Sequence, residues 1–113
     1  MITIDAQNKT VGRVASAAAK VLLGKHTASF AKHVVAGEEV TIVNASKVRI
    51  TGHKARDKKY VRYSGYPAGQ KIESYAQLTA RKGHKEAIRK AVLGMLPKNK
   101  LQTRRIKLLT IEN

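Results

Sequence analysis

Cysteine and tryptophan are absent from this 113-residue chain, phenylalanine occurs once, proline twice, and acidic side chains number only 7. Without cysteine there is no disulfide framework and no thiolate zinc site, and the redox compartment is left open. The few carboxylates, Asp5, Glu38, Glu39, Asp57, Glu73, Glu86 and Glu112, show no paired pattern that would push two pKa values apart for acid–base chemistry. Adjacent Glu38 and Glu39 would point to opposite faces of a strand. His26, His33, His53 and His84 are scattered and lack the helical spacing of a metal face, so no metal is expected. Ser29, Ser46, Ser64 and Ser74 lack a nucleophile-elbow context. Gly24-Lys25 fails as a phosphate-binding loop, because Ala19 and His26 stand where glycine and Ser/Thr are needed. No apolar run approaches membrane-spanning length, and the start MITIDAQNKT is neither signal nor presequence in type. These absences exclude the common enzyme constellations, and no cofactor is expected.

Positive charge is abundant instead. Lys and Arg number 23, leaving a formal net charge of +16. A field of that size attracts phosphate backbones, and binding gains from counterion release. It includes the run KARDKKYVRYSGYPAGQK from Lys54 to Lys71, where cations interleave with tyrosines. An isolated run of this kind is usually a solvated face. Here basic residues recur from Lys9 to Lys107, which favours nucleic acid as the partner. A membrane surface is disfavoured, since no helical stretch pairs a broad face of large apolar residues with a continuous cationic face.

The chain length suits one domain over residues 1–113, with 42% hydrophobic residues sufficient for a compact core. Ile2 and Ile4 alternate in a first strand over Met1 to Asp5. Thr10 is placed to cap a helix carrying Val11, Val14, Ala15, Ala18, Val21 and Leu22 on one face, and Gly24 stops it. Lys25 to Glu39 reads as a basic connection. Glu39 to Asn44 is nearly continuous in β-branched residues, as parallel strands buried on both faces are. Val48 to Thr51 is expected as a further short strand and Tyr60 to Tyr63 as an exposed one. Ser74 and Gln77 fit a capping box for a short helix ended by Gly83. Ile88, Ala91, Val92 and Met95 share the inner face of a helix from His84 to Leu96, which Pro97 terminates. Lys98 to Arg105 reads as a basic link to a last strand, Ile106 to Ile111. The pattern is α/β, without internal repeats.

The loop from Ser64 to Gln70 supports two readings. Gly and Pro are ordinary turn residues. Alternatively Gly65 and Gly69 allow close backbone approach to RNA, with Tyr63 or Tyr66 stacking on a base or ribose. Three of the 4 tyrosines fall between Tyr60 and Tyr66, and Lys58, Lys59, Arg62 and Lys71 flank the loop, which favours the RNA reading.

Several segments together resemble one family. Ile4-Asp-Ala6, Thr10-Val-Gly-Arg13, Gly24-Lys25, Phe30-Ala-Lys-His33, Val43-Asn-Ala45, Val48 to Lys54, Tyr63-Ser-Gly-Tyr-Pro67 and Gly94-Met-Leu-Pro-Lys98 are similar, in order and spacing, to the bacterial-type large-subunit ribosomal protein L-thirteen family. Lys90 to Leu101 is the most specific stretch. The resemblance covers nearly the whole chain. It implies a three-layer α/β/α domain with a small, mainly parallel sheet, binding to large-subunit ribosomal RNA, and a structural role in early assembly of that subunit. The partners implied are that RNA and neighbouring large-subunit proteins, with no homo-oligomer and no membrane. The location implied is the cytoplasm, or an organelle with its own ribosomes. The chain resembles a short form without the usual terminal extensions, and Val34-Val-Ala replaces a turn that more often contains Asp. The candidate RNA contacts are Gly12, Arg13, Lys25, Lys54, Lys58, Tyr63, Gly65, Tyr66, Gly69, Arg89, Lys98, Lys100, Arg104 and Arg105. Gly12 would let the first helix approach phosphate beside Arg13, Gly94 would permit tight packing, and Met95 would anchor the core. The alternatives are a small nucleotide-dependent α/β enzyme and a free-standing nucleic-acid-binding regulator.

Overall fold

In the computed structural model the described residues are 2–28, 33, 35 and 38–113. Among them the chain runs β1 (Ile2–Asp5), α1 (Val11–Leu23), β2 (Val40–Val43), a 3-10 turn (Ala45–Lys47), α2 (Lys54–Asp57), β3 (Lys59–Tyr63), β4 (Gln70–Ser74), α3 (Tyr75–Lys82), α4 (His84–Met95), α5 (Gln102–Ile106) and β5 (Leu109–Ile111). Within the expected connection from Lys25 to Glu39, residues 29–32, 34, 36 and 37, including most of the Phe30 to His33 motif, lie outside the described residues.

The three β-branched and aliphatic strands make a parallel sheet in the order β1-β2-β5. Register places Ile2, Val40 and Leu109 in one row and Ile4, Ile42 and Ile111 in the next. The period of two sends these side chains to one face. There they meet Val14, Ala15, Ala18, Ala19 and Leu22 of α1, Ile88 and Val92 of α4, and Ile106 of α5, in one apolar cluster. The alanines of α1 keep it slim enough to lie between sheet and α4. Each buried Leu, Ile or Val contributes about 1.5–3 kcal/mol by leaving water.

The α/β class and the small parallel sheet are as expected. Thr3, Asp5 and Thr110 are exposed, and Thr41 and Val43 are half-buried, so β2 is not sealed on both sides. Thr and Asp at alternate positions of the strands leave that face without a continuous apolar surface to bury.

Gly24 ends α1 in the left-handed region, with φ 80°. Thr10 sits at the N-cap but its hydroxyl caps nothing. Its backbone instead forms a single parallel bridge to Arg49, whose N–H donates to the Lys9 carbonyl at 2.8 Å. That bridge is all that remains of the expected strand from Val48 to Thr51, because the neighbouring chain turns helical at Val11 and offers no further edge. The capping box is present: Ser74 Oγ accepts from the Gln77 N–H, and Gln77 accepts from the Ser74 N–H at 3.0 Å.

The 3-10 turn, α2, β4 and α5 escape the sequence pattern. The strand β4 pairs antiparallel with β3, and its exposure removes the buried alternation by which strands are recognised. The helix α5 occupies the expected basic link and shortens the final strand to Leu109–Ile111. Asn99 initiates it, accepting from the Leu101 N–H through its side chain at 3.0 Å. On its inner face it buries Ile106 and the whole of Arg105. Leu96, not Met95, fills the core at the end of α4, and Met95 is exposed.

Candidate nucleic-acid interface

Lys54 and Lys58 are four residues apart, a spacing that aligns them on one side of the single-turn α2. The turn closes as the Lys58 N–H donates to the Lys54 carbonyl at 3.0 Å, and the Tyr75 N–H then donates to the Lys58 carbonyl at 3.0 Å. This second bond ties α2 and the start of β3 to the first residue of α3. Lys90 approaches from α4. Its ammonium lies 5.3 Å from the centroid of the Tyr60 ring, and that of Lys58 lies 5.8 Å from the same ring. Cations at this distance are held by the ring quadrupole.

These residues line a cleft of ≈ 390 Å³ together with Val11, Gly12, Tyr75, Ala91 and Gly94. Its walls therefore come from α1, α2, β3, α3 and α4. The lining contains lysines and no carboxylate. One carboxylate close to this group, Glu73, stands across the ladder from Tyr60. It is engaged by Arg81, whose Nε and Nη2 donate to its two oxygens at 2.8 and 2.9 Å. That hydrogen bond holds the Glu73 carboxyl below its ordinary value and raises Arg81. Tyr75 is buried, with its hydroxyl 3.2 Å from His84 Nδ1. Burial, assisted by neighbouring Tyr60, pushes its pKa up to about 12, and burial also raises that of Tyr60. The floor of the cleft is thus neutral and fixed, while its rim is cationic. Such an arrangement can hold an anion that presents several oxygens.

Of the sequence-expected contacts, Gly12, Lys54 and Lys58 converge here. Lys90, Tyr60, Tyr75 and Gly94 join them without having been singled out as RNA contacts. The four-residue spacing of Lys90 and Gly94, which shares one helix face, was the signal available for that pair. Arg89, the neighbour of Lys90, is exposed on α4, and Arg13 is exposed on α1. Gly94 does not serve tight packing, since a Cβ there would meet nothing within 4 Å.

The hairpin of β3 and β4 gathers a second group. Tyr63 is 69% and Tyr66 75% exposed, and the facing pair Val61 and Ile72 is also open to solvent. Gly65 adopts φ +89°, and a Cβ on Gly69 would collide with the Ser64 side chain and lie 2.9 Å from the Tyr66 carbonyl oxygen. The turn itself therefore accounts for both glycines. Lys98, Lys100 and Arg104 form a third group, exposed beyond Pro97. Lys25 lies near them, lining a groove of ≈ 370 Å³ with Leu23, Met95, Leu96, Pro97, Asn99 and Arg105. Arg105 has no exposed surface, so it belongs to the packed interior and leaves the set of surface cations. Long stems make arginine compatible with such packing, which residue type alone does not reveal.

Among the described residues no group of side chains is suited to hold a metal ion, and no helix is long and apolar enough to cross a membrane. A family model described as Ribosomal protein L13 matches residues 1–111. The chain is 46% identical to the large ribosomal subunit protein uL13 of Pelotomaculum thermopropionicum over 108 residues, which covers 96% of this chain and 74% of the relative. The same protein of Moorella thermoacetica is 47% identical with the same coverage. That of Symbiobacterium thermophilum is 48% identical over 98 residues, covering 87% of this chain and 68% of the relative.

Proposed function

We propose that this chain, which belongs to the ribosomal protein L13 family, acts as a structural constituent of the large ribosomal subunit in the cytoplasm, binding large-subunit ribosomal RNA and supporting assembly and translation. The family is one of ribosomal proteins, so the role is structural and not enzymatic. The observation that carries the RNA reading is the cleft in which Lys54, Lys58 and Lys90 converge with no carboxylate in the lining. Phosphate contacts of this kind fix position and orientation and make binding salt-dependent. Arg13, Lys25, Arg89, Lys98, Lys100 and Arg104 extend the cationic surface beyond the cleft. Tyr63 and Tyr66, carried on the exposed hairpin, are free to stack on unpaired bases or ribose. Neighbouring large-subunit proteins are further partners, and no self-association is invoked.

Sedimentation of a tagged copy from cell lysate, at low and high salt with the RNA of each fraction identified, tests this reading. Salt-resistant co-migration with the large subunit is the expected result. A protein left at the top of the gradient in gentle salt contradicts it.

A further inference from the structure

Gly12 is the second residue of α1 and Gly94 the last but one of α4, and both line the lysine-rimmed cleft. Glycine is a poor helix residue relative to alanine, so a helical glycine needs a reason. For Gly65 the reason is a positive φ, and for Gly69 it is the collision that a Cβ would cause. Neither applies to Gly12 or Gly94. Neither has a positive φ, and a Cβ at either would meet nothing within 4 Å. Nothing in the described fold uses the missing methyl groups, so a use for them has to come from what occupies the cleft.

We propose that Gly12 and Gly94 are RNA-contact residues, whose bare helix backbones let the sugar–phosphate chain of an unpaired ribosomal RNA segment lie against α1 and α4 while Lys54, Lys58 and Lys90 hold successive phosphates. This rests on the RNA-binding reading above. The three ammonium groups select an anion. The aromatic faces are already engaged, with Lys58 and Lys90 over the Tyr60 ring and Tyr75 buried with its hydroxyl on His84. The cleft thus offers backbone and cation rather than a stacking platform, which suits ribose and phosphate better than a base. An unpaired strand can follow a concave wall of this size in a way that a duplex cannot.

The test uses the full chain as wild type, Gly12→Ala, Gly94→Ala and the double variant. Each is measured for thermal stability and for binding to purified large-subunit ribosomal RNA across a salt series, with adenosine monophosphate as a second ligand. The double variant is expected to melt at or above the wild-type temperature, because alanine favours helix. It should nevertheless bind the RNA about ten-fold more weakly, the scale of an overpacked contact, with an unchanged salt slope because every lysine remains. Wild-type affinity in the double variant overturns the proposal while leaving the RNA reading intact. A lowered melting temperature also overturns it, since the glycines would then serve the fold. Adenosine monophosphate binding as tight as the RNA overturns it in favour of a free-nucleotide site. If the wild type does not bind the RNA at all, the functional reading fails and this one with it.

Discussion

The cleft and the β3–β4 hairpin are both basic and both contain tyrosine, yet they are built in opposite ways. Three of the five elements that form the cleft are anchored in the core, through Val14 of α1, Ile88 and Val92 of α4, and Tyr75 and Leu78 of α3, while α2 and β3 bury no residue. The hairpin is two strands joined by its own turn, with Val61 57% and Ile72 60% exposed as a facing pair. Lys90 stands on the packed α4 and shares the Tyr60 ring with Lys58, so part of the constellation is set before anything binds. A side chain on an open ribbon must be ordered when it binds. In the proposed reading, similar composition would serve a partly pre-formed cationic site in one place and adaptable contact in the other.

The sharpest way to break this contrast is to remove the same four-carbon side chain from each region. Ile42→Ala, in the centre of the parallel sheet, is expected to cost about 2–5 kcal/mol of global stability. Ile72→Ala on the hairpin should stay within about 0.5 kcal/mol. Urea unfolding of both variants measures this, and equal costs would mean that the hairpin is as integral to the core as the sheet.

Charge removal sharpens the functional half. Replacing Lys54, Lys58 and Lys90 together with alanine should lower the salt slope of ribosomal RNA binding by about three, one for each phosphate contact. Tyr63→Ser with Tyr66→Ser should weaken binding with the slope intact, since stacking releases no counterions. A slope change in the tyrosine variant, or none in the lysine variant, would reverse the assignment of roles.

A smaller effect belongs to the hairpin turn. Gly69→Ala inserts a Cβ against Ser64 and the Tyr66 carbonyl, for a local cost of about 1–3 kcal/mol. Hydrogen exchange should quicken at hairpin amides and remain slow in β2. The mildest effect is alkaline. The pKa of Tyr75, raised by burial to about 12, lies above its unfolded value of 10.0. Its contribution to stability is complete below the unfolded value and is lost as pH rises from there toward the folded one. Tyr75→Phe should remove that part of the decline in melts taken across this range.

The same contrast explains what could be read from residues alone. Segments with a buried face were legible: Ile2 and Ile4 in β1, the alanine-rich face of α1, and Ile88 and Val92 of α4 all carry the period of their element. The capping box at Ser74 was legible because capping chemistry is local. β4 was not, since Gln70 to Ser74 buries nothing that would impose alternation. Arg105 was misread for the converse reason, because a long charged side chain turned inward on a one-turn helix leaves no periodic signal. Lys54 and Lys58, which line the cleft, stand in a run of local charge that the sequence displays. Lys90 and Tyr60 become partners only when α4 is folded against the start of β3, a tertiary contact that no local pattern encodes.

In the proposed reading Lys54, Lys58 and Lys90 of the cleft face RNA in the assembled particle. Reductive methylation of lysines, quantified by mass spectrometry on the free chain and on the chain within purified large subunits, tests this. These three lysines are expected to react in the free protein and to be shielded together in the subunit. If all three remain as reactive in the subunit as in free solution, the cleft is not the RNA interface.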